Sequence, residues 1–164
     1  MQRQDKGMPF LLKYENVAWY EDGKVRILDR RVFPMQKKFV YCKDYHQIIK
    51  AIQDMVTQSA GPFTAVGMGM TLAAYQCKDK SEQEQVIFLT KAAKELGNAR
   101  PTTANRYSAI TNRALKLQKQ ALKEGKSAID AAFNDTLDSL NRRYATMQKV
   151  GNYLVDLMPN NSTS

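Results

Sequence analysis

Apolar residues recur along this chain with two different periods, and the change of period divides it. From Lys24 to Arg31 the alternation has period two. Val25, Ile27 and, less strictly, Leu28 lie on one side, with Lys24, Arg26 and Arg30 on the other. That pattern predicts a strand with one buried and one wet face. The preceding stretch, Leu11 to Tyr20, is rich in aromatic and branched residues and is expected to pair with it. The connection is Glu21-Asp22-Gly23, whose glycine accepts positive φ at no steric cost. Phe33-Pro34 interrupts the ladder, because proline has no N–H to give. Lys38 to Cys42 is expected to form the third strand.

From residue 43 onward the period is helical. Asp44 is placed to cap a helix whose apolar positions are Ile48, Ile49, Ile52, Met55 and Val56, ending near Gln58. Ser59-Ala60-Gly61-Pro62 is a break, and Pro62 suits the first turn of the next helix, Phe63 to Gln76. Gly67 and Gly69 fall inside that helix. Each costs about 1 kcal/mol relative to alanine, which predicts a close approach by a neighbouring helix. Ser81-x-x-Glu84 is a capping box, followed by Val86, Leu89, Ala93 and Leu96 on an inner face, with Gly97 as the stop. Arg100-Pro101-Thr102 starts a helix running to about Glu124.

Ser127-x-x-Asp130 caps a last helix with Ile129, Phe133, Leu137, Leu140, Tyr144, Met147, Gly151 and Leu154 at near-heptad spacing. It is expected to reach Met158, about 30 residues or about 45 Å, with Gly151 the place for a kink and Pro159 the stop. The expected fold is α+β and mostly helical: a three-stranded antiparallel sheet over 1–42, a bundle of about five helices over 43–158, and a polar tail over 159–164. The three parts make one structural domain.

Composition narrows the function classes. The 164 residues are 43% apolar and 25% charged, as in a soluble globular protein. No stretch approaches the ~20 apolar residues of a membrane span, and Met1 to Lys6 opens no signal peptide, so a cytoplasmic protein without membrane partners is expected. Cys42 and Cys77 make no disulfide scaffold and are read as free core thiols. With His46 as the one histidine, no metal set and no cofactor are expected, and His46 itself reads as a surface residue. Lys and Arg number 25 against 16 acidic residues, a net charge of +9 that makes a phosphate or polyanion worth testing. The excess is spread without a dense run. Tyr14, Trp19, Phe39 and Tyr41 are expected on strands, but no known nucleic-acid motif accompanies them, so nucleic acid is disfavoured. Two loop-to-helix junctions remain as anion sites, Gln58 to Pro62 and Asn98 to Asn105, the second beside the bidentate donor Arg100.

These residues, in this order, resemble the N-terminal domain of the methylthioribose-1-phosphate isomerase family. Its superfamily includes ribose-1,5-bisphosphate isomerase and the regulatory subunits of translation initiation factor 2B. The resemblance lies in Tyr14 to Trp19, Asp22-Gly23, K-V-R-I-L-D-R-R (Lys24–Arg31), V-Y-C-K-D-Y-H-Q-I-I-K-A-I-Q-D-M-V (Val40–Val56), Gly61-Pro62 and A-R-P-T-T-A-N-R-Y-S-A-I-T-N-R (Ala99–Arg113). It implies a small sheet plus helical bundle, after which the family carries a Rossmann-like domain with the catalytic cysteine and aspartate; Ser164 falls about where that domain would begin. No catalytic residue is therefore expected here, and Cys42 and Cys77 match structural positions.

By the same resemblance, a substrate phosphate is held by arginines of both junctions. Arg100 matches the second. In the first, Gln58 or Ser59 stands where the family has arginine, a loss worth about 1–3 kcal/mol, leaving the N–H groups of Ala60 and Gly61. The implied function is aldose–ketose isomerisation of a sugar 1-phosphate in methionine salvage. The chain is expected to be inactive alone and to need a separate Rossmann-like catalytic chain or a homo-oligomer. The alternative is a non-catalytic protein-interaction or metabolite-sensing module of the initiation factor 2B branch.

Overall fold

The computed structural model describes residues 3–158. Strands β1 (Ala18–Glu21), β2 (Lys24–Leu28) and β3 (Phe39–Cys42) form one antiparallel sheet in that order. Glu21 pairs with Lys24 across a two-residue turn in which Asp22 (φ 47°) and Gly23 (φ 73°) are both left-handed. This is the backbone twist that suits a tight hairpin. Val25 and Ile27 are fully buried, as the alternation predicts.

The segment before β1 departs from expectation. Strand begins only at Ala18, and Phe10–Leu12 and Tyr14–Asn16 are short 3-10 turns. Side chains supply the bonds that a ladder would have made. The Tyr14 N–H donates to the Asp5 carboxylate at 2.9 Å, and the Asn16 amide donates to the Phe10 carbonyl at 2.8 Å. Such local side-chain bonds compete with regular structure. Tyr14, expected on the sheet, is instead fully buried, and its hydroxyl donates to Asn141 Oδ1 at 2.8 Å.

Five α-helices follow: α1 (Tyr45–Gln53), α2 (Gly61–Cys77), α3 (Glu82–Gly97), α4 (Ala104–Lys123) and α5 (Ala128–Leu157). The fold is thus the expected α+β one. Asp44 accepts the His46 N–H, Ser81 and Glu84 form a reciprocal capping box, and Ser127 accepts the Asp130 N–H. Helix α1 ends before the expected Gln58, because Met55 turns left-handed (φ 59°) and places buried Val56 beyond the helix. A 3-10 turn, Pro101–Thr103, precedes α4. Helix α5 runs its 30 residues without a break at Gly151. The expected stop at Pro159 and the polar tail lie outside the described residues.

Helix α2 is the centre. Of its 17 residues, 14 are buried, and β1, β2 and all four other α-helices pack on it. A helix apolar all round belongs in a core. Helix α5 packs against it at Gly67: a Cβ added there would lie 2.4 Å from Thr136 Oγ1 and 3.2 Å from Thr136 Cβ. Gly69 faces Leu96 of α3 in the same way, at 2.9 Å. The two glycines therefore mark close helix approaches, as expected.

The face of α5 agrees with expectation at Leu140, and Ile129 and Phe133 pack on the core, but its most buried line is a different one. Its buried residues are Ala128, Ala132, Thr136 and Leu140, at intervals of four, together with Asn141. The larger Ile129, Phe133 and Leu137 are half-buried, and Met147 and Leu154 are exposed.

The contact predicts its own test. Gly67→Ala adds a methyl where Thr136 stands, so overpacking should outweigh the helix-propensity gain, for a net loss of about 1–2 kcal/mol in urea denaturation. Adding Thr136→Ala removes Oγ1 and Cγ2, and the double variant should lose less than the sum of the two single losses.

Candidate anion-binding site

The loop between α1 and α2 is held from both sides. The Arg30 N–H, in the turn after β2, donates to the Val56 carbonyl at 2.8 Å, and the Val56 N–H donates to the Ala51 carbonyl at 2.9 Å. Ser59 is left-handed (φ 58°) and brings the chain round to α2. A Cβ at Gly61 would stand 2.2 Å from the Thr57 hydroxyl oxygen, so a side chain there would have to displace that hydroxyl. No side chain caps α2, and Pro62 brings no N–H to its first turn.

Gln58, Ser59, Ala60 and Gly61 line a cleft of about 250 Å³, which Leu28 and Arg30 bound on one side and Arg143 and Tyr144 of α5 on another. Among the described residues, no acidic one lines it. The Gly61 N–H, expected as a free donor, is engaged by the Gln58 carbonyl at 3.0 Å. The Gln58 amide donates to the Met55 carbonyl at 3.2 Å. Four of the five residues singled out in the sequence thus meet at one cleft.

Arg100 stands apart from its lining. Its Nη2 donates to the Ile52 carbonyl at 2.7 Å and lies 2.7 Å from Met55 Sδ, at the end of α1 behind the loop. There it satisfies a carbonyl of the last helical turn.

The two cations that do face the cleft, Arg30 and Arg143, were not singled out in the sequence. Arg30 reads there as a wet-face residue and Arg143 as one polar position on a long helix. Asp29, the carboxylate next to Arg30, is committed elsewhere. It is buried and accepts from Arg31 Nε at 2.8 Å and Nη2 at 2.7 Å. Those bonds hold its carboxyl below its ordinary value, against the opposing effect of burial.

The remaining chemistry-bearing residues lie elsewhere. Cys42 and Cys77 are fully buried, and burial pushes each thiol up to about 11. His46 is exposed, with Nδ1 2.7 Å from Asp44 Oδ1 and Nε2 3.2 Å from Glu95 Oε2. Among the described residues no cluster of three or more His, Cys, Asp or Glu is placed to hold a metal ion. No helix among them is long and apolar enough to cross a membrane.

No family model matches the chain. Among curated proteins, the methylthioribose-1-phosphate isomerase of Natranaerobius thermophilus is 32% identical over 112 residues, covering 68% of this chain and 32% of that protein. Among solved structures, the 5-methylthioribose 1-phosphate isomerase of Pyrococcus horikoshii superposes with a TM-score of 0.63 at 27% identity, covering 73% of this chain and 35% of that one. The chain is a relative of the methylthioribose-1-phosphate isomerases, matching their N-terminal part. The translation initiation factor eIF-2B, subunit delta, from A. fulgidus shares the fold of this isomerase relative, with a TM-score of 0.66 at 22% identity over 89% of this chain and 42% of that one. The chain therefore spans between about a third and about two-fifths of the length of these proteins.

Two measurements check this environment. At about pH 8, neither cysteine should react with iodoacetamide in the folded protein, and both should react in denaturant, because only the thiolate attacks. Asp29 is expected to stabilise the fold above the ordinary carboxylate range near pH ~4, with the contribution lost as pH falls through its lowered folded value. Asp29→Asn should accordingly weaken the protein near neutrality, and its deficit should shrink in acid when urea midpoints are compared across pH.

Proposed function

We propose that this chain is the phosphate-holding part of an aldose–ketose isomerase acting on a sugar 1-phosphate of the methylthioribose 1-phosphate kind, in the cytoplasm and within methionine salvage. The match to the N-terminal part of the isomerases carries this reading. The loop of Gln58, Ser59, Ala60 and Gly61 opening on an acid-free cleft agrees with it. In this reading the loop receives the phosphate, and Arg100 reaches it by releasing the Ile52 carbonyl and Met55.

Isomerisation moves a proton between neighbouring carbons, which needs an acid–base pair beside the sugar. Among the described residues, the thiols are buried and raised, and His46 is bound between carboxylates on another face. The reading therefore includes a second, Rossmann-like unit that brings the catalytic pair. Its place is the exposed end of α5, where Met147, Val150, Leu154 and Leu157 leave an apolar stripe in solvent. The likeness to the initiation-factor subunit, at 22% identity, supports the fold alone, so the isomerase reading leads.

The purified chain, supplied with methylthioribose 1-phosphate, should give no ketose product above background. Turnover by the chain alone would overturn the requirement for a second unit.

A further inference from the structure

We infer that Arg30 and Arg143 are the cations of an oxyanion site at this cleft, which takes a phosphate monoester. The inference rests on reading the 58–61 loop as phosphate-holding, and it assigns the charge to residues outside that loop. The two guanidinium groups come from the turn after β2 and the middle of α5, separate parts of the chain that the fold brings to one opening.

Neither arginine has a carboxylate partner among the described residues. Asp29 is taken by Arg31, and no ion pair includes Arg30 or Arg143. Arg30 lies 5.8 Å from the centroid of the Phe33 ring, and its Nε is shielded from solvent without a hydrogen-bond partner. A shielded donor with no acceptor is rare in a folded protein and marks a position where an acceptor belongs. Arg143 reaches Thr64 Oγ1 at only 3.4 Å, a weak bond that leaves its other donors for the cleft.

Two planar forks at an opening with no acidic residue match a dianionic phosphate better than a monoanionic carboxylate. The organic part of the ester has an adjoining groove of about 400 Å³, walled by Met8, Leu12, Tyr144 and Met147 and sharing Ala60 and Arg143 with the cleft. This arrangement supplies in space the charge that Gln58 and Ser59 do not supply in the loop.

The test is binding of inorganic phosphate to the full chain at constant ionic strength, followed by amide shifts of Gly61, with acetate as the monoanion for comparison. Arg30→Gln and Arg143→Gln should each weaken phosphate binding by about tenfold or more, as expected for a lost charge-assisted bond. Lys119→Gln, at a half-buried position of α4 outside the cleft lining, removes the same charge and should change it less than about twofold, a purely screened effect. Arg30→Lys keeps the charge on a similar stem and should fall between; thermal melts without phosphate establish that each variant is folded. Phosphate binding that survives both glutamine variants, or falls equally in Lys119→Gln, overturns this assignment and leaves the loop reading standing. No phosphate binding by the unsubstituted chain overturns both.

Discussion

The near-contact of Gly67 on α2 with Thr136 on α5 is the constraint on which the rest of the molecule depends. Helix α2 is apolar on every side and must be covered on every side, and α5 covers it at Gly67. Side chains of four-residue spacing, Ala128, Ala132, Thr136 and Leu140, form the ridge that fits against it. Ridges of that spacing are a common basis of helix packing. Because α5 lies so close, Arg143 and Tyr144, one further turn along, are brought to the start of α2. The cleft at the 58–61 loop follows from how the core packs.

Elements with local signals were legible in the sequence. Asp44, Ser81 with Glu84, and Ser127 all cap as their positions predict, and Asp22-Gly23 makes the hairpin turn. Each is decided by neighbouring residues and backbone geometry. The errors share a different cause. Leu11 to Asn16 has strand composition, yet the Asp5 carboxylate and the Asn16 amide bend it into 3-10 turns. The near-heptad series on α5 gave most weight to large apolar residues. Packing against a glycine-bearing helix selects small ones, so the buried ridge runs one position earlier, through two alanines and a threonine.

The candidate site divides in the same way. The loop was visible because Gly61-Pro62 is local punctuation. The cations around it were not, because which arginine reaches a loop depends on tertiary structure. Arg100, 42 residues beyond Gln58, sits on the end of α1, and Arg143 arrives from a helix that the sequence gives no reason to place there. The chain's +9 charge likewise resolves into neighbours only in the fold. Arg3 bonds Asp5 and Glu15, Arg31 bonds Asp29, and Arg113 bonds Asp135. Arg30 and Arg143 have no such acid among the described residues, and they share the lining of one cleft.

The length of α5 has a mechanical meaning. Its first half is clamped by α2, and its last turns, from Thr146 onward, stand in solvent. A helix clamped at one end is a stiff lever whose phase advances by about 100° and 1.5 Å with every residue. Adding or deleting one residue between Thr146 and Leu157 would leave the bundle untouched. It would swing whatever docks at the tip by more than a quarter turn about the helix axis, whereas an insertion of seven residues, two nearly complete turns, would restore its facing about 10 Å further out. The clamp at Gly67 would thus set the angle at which a unit at that tip meets the cleft.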